Sequence, residues 1–185
     1  MAKIIIEHLD PRLWKWSFLE YRHVSDVIGK NNLIFTNIRS VSSKDKLSFF
    51  GKIYKEKAEK LNLKNACVLD PGAKETLTPE DKFDYLIVGG ILGDFPPQKR
   101  TKKELTSRLG FPSRNLGHSQ MSTNTAAIVA WKIMHGTPLN RLEFKNKLVI
   151  KIGKYEEVIL PYKYLSEGGK LVLPGGYVEM AKKHH

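Results

Sequence analysis

Cysteine is almost missing from this chain of 185 residues: Cys67 stands alone, so no disulfide can close within it. Its place in the apolar run Ala66-Cys67-Val68-Leu69 reads as a small buried hydrophobe rather than as a nucleophile. Long apolar runs are missing too, and none approaches the ~20 residues of a membrane-spanning helix. No charged-then-apolar leader opens the chain, so a cytoplasmic protein is expected. The six histidines are scattered, with neither an HExxH motif nor a Cys/His cluster, which argues against metal chemistry. Acidic residues are scarce: 19 Asp and Glu face 31 Lys and Arg, for a net charge of +12.

What is present narrows the class. Hydrophobic residues at 41% suffice for a real core in a chain of this length, without a metal or disulfide to staple it. The basic excess favours a polyanionic partner, RNA or a ribosome, with a merely solvated lysine-rich surface as the alternative. It clusters in one stretch, where Lys99, Arg100, Lys102, Lys103, Arg108 and Arg114 meet only Glu104.

Strand-like and helix-like segments alternate. Ile4-Ile5-Ile6, Leu33-Ile34-Phe35, Ala66 to Leu69 and Tyr85-Leu86-Ile87-Val88 read as buried strands. A first helix is expected from Asp10-Pro11, with Asp10 as N-cap and Trp14, Phe18, Tyr21, Val24 and Ile28 as its apolar stripe. Ser42 with Asp45 predicts a longer basic helix, striped by Phe50, Ile53, Tyr54, Ala58 and Leu61 and weakened by Gly51. Thr101 with Glu104 predicts a short helix ending at Gly110, and a strong helix covers about 124–135. Beyond about residue 140, short strands at 148–152, 158–160 and 171–173 are joined by glycine turns. The expected fold is α/β, a mainly parallel sheet with helices on both faces. The whole of 1–185 reads as one domain, with 140–185 as a small β extension.

Ligands of open parallel sheets bind at the carboxyl ends of the strands. Two glycine-bearing polar loops leave such ends, at 89–94 and 116–123. The first suits close approach to a ligand, though a glycine pair after a strand also makes a tight turn. Gly-Gly-x-x-Gly is not the dinucleotide G-x-G-x-x-G, no P-loop lysine follows, and no glycine follows the first strand. His118-Ser119 lacks the surroundings of a hydrolase nucleophile. Trp14 and Trp131 fall on apolar helix faces, as core residues do.

The run Leu86-Ile87-Val88-Gly89-Gly90-Ile91-Leu92-Gly93-Asp94-Phe95-Pro96-Pro97 is followed by Arg100-Thr101 and then Asn115-Leu116-Gly117-His118-Ser119-Gln120-Met121-Ser122-Thr123. It resembles a branch of the SPOUT methyltransferases that contains a eukaryotic ribosomal-protein arginine methyltransferase and archaeal relatives. The resemblance implies a C-terminal trefoil knot and a bent S-adenosyl-L-methionine as cosubstrate. It implies that Gly89, Gly90, Gly93, Leu116 and Gly117 present backbone to the adenosine. Ser119, Gln120, Met121, Ser122 and Thr123 would form a further wall, and Gly90→Val would fill space that the adenosine needs. The family pattern has an arginine after Pro97 where this chain has Gln98, a departure that bears on the substrate.

A guanidinium acceptor is protonated, so a carboxylate must hold it and help remove a proton. Asp94 is the first candidate, its alternative role being a turn cap, and Asp84 and Glu104 come next. Arg100, Lys102 and Lys103 suit the macromolecular substrate, with solvated surface as the alternative. The resemblance thus implies methylation of an arginine in a ribosomal protein. A base or ribose of ribosomal or transfer RNA is the second acceptor, and a non-catalytic ribosome-binding module the third reading. Monomer and homodimer remain open.

Overall fold

The computed structural model describes residues 2–91, 100–153 and 156–183. Six parallel strands form the main sheet: β1 (Lys3–His8), β2 (Leu33–Thr36), β3 (Lys52–Ile53), β4 (Ala66–Leu69), β5 (Tyr85–Gly90) and β6 (Ser113–Arg114). Their order is β3-β2-β1-β5-β4-β6, with β1 in register against β5 from Lys3↔Tyr85 to His8↔Gly90. Ile4, Ile5, Ile6, Leu86, Ile87 and Val88 of the central strands are buried, as unbroken apolar runs require of a sheet covered on both sides. Ile4, Ile6, Leu86 and Val88 face one core, under helices α1 (Lys15–Ile28) and α4 (Thr123–Met134); Ile5, Ile87 and Val68 face the other. The expected architecture is present.

Two predicted helices are shorter than their patterns. The first starts at Lys15, with Trp14 as an N-cap that makes no side-chain bond. Asp10 is drawn elsewhere, into an ion pair with Arg100 at 3.2 Å. The second, α2 (Val41–Leu47), is capped by Ser40, whose Oγ accepts from the Ser43 amide, rather than by Ser42. It stops because Gly51 lies against β2: a Cβ there would come within 2.7 Å of the Leu33 carbonyl oxygen. Lys52–Ile53 therefore adds an edge strand, paired Ile34↔Lys52 and Phe35↔Ile53. The residues of the supposed helical stripe divide, Phe50 and Ile53 towards one core, Tyr54 and Ala58 towards the other. Sheet pairing overrides the 3.6-residue period here, and only glycine allows so close an approach.

The stretch 100–109 is helical but irregular, with a π-helical turn at Lys102–Thr106 running into α3 (Ser107–Leu109). Thr101 caps nothing there, and Gly110 ends the element in the left-handed region, φ 66°. The later residues hold a hairpin of β8 (Leu148–Lys151) and β9 (Glu157–Leu160). A three-stranded antiparallel sheet joins β7 (Glu143–Lys145), β10 (Tyr164–Glu167) and β11 (Lys170–Leu171), and α5 (Tyr177–Lys183) follows. The strands β7 and β10 and the helix α5 have no counterpart in the sequence reading. Tyr177 meets Trp16 edge-on, ring centres 4.5 Å apart, which seats α5 on α1. Among the described residues no helix is long and apolar enough to cross a membrane.

Candidate active site

Strands β4, β5 and β6 end at one edge of the sheet, and the segments leaving them enclose a cleft of about 440 Å³. Residues 69–72 form one side, Val88, Gly89 and Ile91 with 100–102 a second, and 116–121 with Thr123 and Ala126 a third. Leu69, Val88, Ile91, Leu116, Met121 and Ala126 make it apolar, while Asp70, Thr101, Ser119, Gln120 and Thr123 add polar groups. Such a size and mixture suit a small-molecule ligand.

Asn115 ties the third side to residues 73–76, the segment that follows the first. It is 1% exposed and spends its whole amide on that link. Its Oδ1 accepts from the Gly117 amide at 2.9 Å and the Thr76 hydroxyl at 3.0 Å. Its Nδ2 donates to the Ala73 carbonyl at 3.0 Å and the Glu75 carbonyl at 3.1 Å. Gly117 then turns with φ +88°, a conformation that L side chains rarely adopt. The Gln120 carbonyl is fixed by the Lys163 amide at 2.8 Å.

Of the residues read from the sequence, Gly89, Leu116, Gly117, Ser119, Gln120, Met121, Thr123, Arg100 and Lys102 all lie in the lining. Gly90, Ser122 and Lys103 do not, and Gly93 and Asp94 fall outside the described residues. Gly90 faces the other way: a Cβ on it would come within 2.0 Å of the Tyr21 hydroxyl and 2.9 Å of Ile6 Cγ2. Its lack of a side chain makes room for helix α1. Gly90→Val is therefore expected to lower folding stability by about 1–3 kcal/mol, the usual cost of overpacking a core. Urea unfolding measures this, and an unchanged midpoint with lost ligand affinity would contradict it. Ser122 is buried, and its hydroxyl bonds Asn124 and Thr125, both at 2.8 Å.

The side formed by Asp70, Pro71 and Gly72 is not among the residues singled out from the sequence. Its one signal was its place after a buried strand. Asp70 accepts from the Gly72 amide at 2.8 Å and from the Thr106 hydroxyl at 2.6 Å, tying this turn to the helical segment. His118 bonds the Pro71 carbonyl at 3.1 Å and so joins two sides of the cleft.

The charged candidates sort by position. Asp84 precedes β5, at the sheet edge opposite the cleft, roughly 20 Å away at strand rise. It cannot serve there. Glu104 pairs with Arg100 at 2.7 Å, and Asp10 meets the same guanidinium at 3.2 Å. Arg108 pairs with Glu59 at 3.2 Å; Arg114 pairs with Glu75 at 2.7 Å and Asp81 at 3.2 Å. The three arginines of the basic cluster are thus matched, mostly by acids remote in sequence. Lys102 and Lys103 have no ion-pair partner among the described residues, and both are exposed. Cys67 is fully buried, which pushes its thiol up to about 12 and keeps it inert.

Two buried groups, His8 and Glu20, and the half-buried His23 titrate unusually. Burial lowers His8, whose Nδ1 meets the Tyr21 hydroxyl at 2.9 Å, and lowers His23, whose Nδ1 meets the Asn124 amide at 3.1 Å. Burial raises Glu20 from 4.5 to about 7, opposed by hydrogen bonds from Tyr177, Asn124 and Thr123. A carboxyl raised in the folded state stabilises fully below its unfolded value. That contribution disappears as pH rises through the folded one. Between pH 4.5 and about 7, the wild type should lose up to about 3 kcal/mol relative to Glu20→Gln. Parallel denaturation series at pH 5 and 8.5 measure the difference, while His8 and His23 act alike in both proteins. A constant gap between the two would show that Glu20 keeps an ordinary pKa.

A family model described as protein arginine N-methyltransferase SFM1-like matches residues 3–185. The protein arginine N-methyltransferase SFM1 of Saccharomyces cerevisiae is 34% identical over 205 positions, covering 98% of this chain and 94% of the relative. The crystal structure of yeast SFM1 complexed with SAM superposes with a TM-score of 0.89 at 31% identity, covering 99% of this chain and 91% of that one. The SAH complex gives 0.87 at 31% identity, over 96% and 93% of the two chains. A dual specific Trm10 from Thermococcus kodakaraensis shares the fold alone, with a TM-score of 0.56 at 20% identity over 76% of this chain and 96% of that one.

Proposed function

Since the chain belongs to the SFM1-like family of protein arginine N-methyltransferases, we propose that it methylates an arginine of a ribosomal protein with S-adenosylmethionine bound in the cleft. The observation that carries this is the shared cleft: residues from both glycine-bearing loops line one cavity at the ends of β4, β5 and β6. Its residues fit the cosubstrate. Leu69, Val88 and Leu116 offer apolar surface for a base, and Gly72, Gly89 and Gly117 leave backbone uncovered. Bound there, S-adenosylmethionine supplies an electrophilic methyl on a sulfonium.

The protein's share is alignment and proton handling. Residues 116–121 would orient the adenosine, held in turn by Asn115 and Lys163. Lys102 and Lys103 would meet the macromolecular substrate, their charges being free of protein partners among the described residues. Asp94 would accept the guanidinium proton, and Gln98 marks where substrate choice departs from the family pattern. One domain of 1–185 with a β-rich end, the knotted path implied by the resemblance and a cytoplasmic setting belong to the same proposal. Tritiated-methyl transfer into a ribosome preparation tests it. The label should become soluble on protease digestion and survive nuclease. Label released by nuclease instead would make RNA the acceptor, and no incorporation would remove the activity.

A further inference from the structure

Helix α4 begins at the cleft wall, and its first amides need acceptors. Ser122, the residue in the N-cap position, gives them none, since its hydroxyl bonds Asn124 and Thr125 side chains instead. The acceptor comes from another helix. Glu20 of α1 is 8% exposed, and its Oε2 accepts from the Thr123 amide at 3.1 Å. The Asn124 amide lowers the pKa of this carboxyl, as a donor facing it does. Its Oε1 accepts from the Tyr177 hydroxyl of α5 at 3.1 Å. Thr123 in turn donates its hydroxyl to the Gly89 carbonyl at 3.4 Å, and both residues line the cleft.

We propose that Glu20 is a positioning residue of the methyl-donor site: it caps α4 from outside, fixes the wall at 119–123, and links that wall to the C-terminal helix. This rests on the reading of the cleft as the S-adenosylmethionine site. The carboxylate touches neither reactant and acts through the backbone of Thr123. In its ionised form the group also faces the positive end of the α4 dipole, which offsets part of the cost of burying the charge. Removing it leaves buried amides without an acceptor, a larger loss than that of one exchangeable hydrogen bond.

The test compares Glu20→Ala, Glu20→Gln and Tyr177→Phe in the full chain. A glutamine can still accept from Thr123 through Oε1 while its Nε2 donates to the Tyr177 oxygen, so it should rescue. Glu20→Ala should weaken S-adenosylmethionine binding about tenfold by calorimetry and raise its KM similarly, with kcat at saturation within about threefold. Glu20→Gln should stay within about threefold in both, and Tyr177→Phe should fall between the two. Hydrogen exchange of the Thr123 and Asn124 amides in the ligand-free protein should speed up in Glu20→Ala and stay slow in Glu20→Gln. Equal affinity and equal exchange in wild type and Glu20→Ala would overturn the proposal. A wild type that binds no S-adenosylmethionine, but shows the exchange difference, would overturn the cleft reading and leave Glu20 a helix cap only.

Discussion

Asp94→Asn is expected to lower methyl transfer by ~10²–10⁴-fold with cofactor affinity nearly unchanged, the range that general-base help contributes. A protonated guanidinium has no free lone pair for attack, so its nitrogen must shed a proton as the new bond forms. Asparagine keeps the size and part of the hydrogen bonding while it removes the charge. Position narrows the alternatives: Asp84 sits at the far edge of the sheet, Asp70 is spent on Gly72 and Thr106, and Asp10 and Glu104 share Arg100. Single-turnover rates beside calorimetric titration make the measurement. Turnover within a few-fold of wild type would reduce Asp94 to a turn cap. Collapsed affinity would place it in the donor pocket instead and reopen the search for the base.

Ala126→Phe should abolish useful cofactor binding, with a loss of about 100-fold and little change in secondary structure. Ala126 lies on α4 and lines the cleft, so a ring at this position is expected to occupy volume within the 440 Å³. Phenylalanine costs a helix only tenths of a kcal/mol relative to alanine, so the helix should survive. Overpacking an ordered site costs about 1–3 kcal/mol, the upper end of which is about 100-fold in affinity. The pair with Gly90→Val separates two roles of neighbouring small residues. One change should strike affinity and the other stability. If Ala126→Phe binds S-adenosylmethionine normally, the ligand does not occupy this cleft.

The sequence by itself determined the class of fold and the strand ends at which a cleft opens. Unbroken apolar runs such as Ile4-Ile5-Ile6 suit strands buried on both faces, and their alternation with helices implies a parallel sheet. The ligand then belongs at the strand ends, where nine of the named residues do line one cleft. The single buried Cys67 was equally legible, since its neighbours alone set its surroundings.

Tertiary structure decided whatever depends on partners far along the chain. Asp10 looked like a helix cap, but Arg100, 90 residues away, claims its carboxylate. The residues from Phe50 to Leu61 kept a helical period, yet Gly51 could lie against Leu33, and sheet pairing outweighed that local preference. Gly90 shares a motif with Gly89 but points at Tyr21, because successive strand residues face opposite sides of a sheet. The charge cluster that looked unopposed is met by Glu59, Glu75 and Asp81. Glu20, a charge within an otherwise amphipathic helix, gave no local sign that it would cap α4 and receive Tyr177 from the far end of the chain. Periodicity reports which face of an element is buried; it carries no record of which remote group fills each hydrogen bond there.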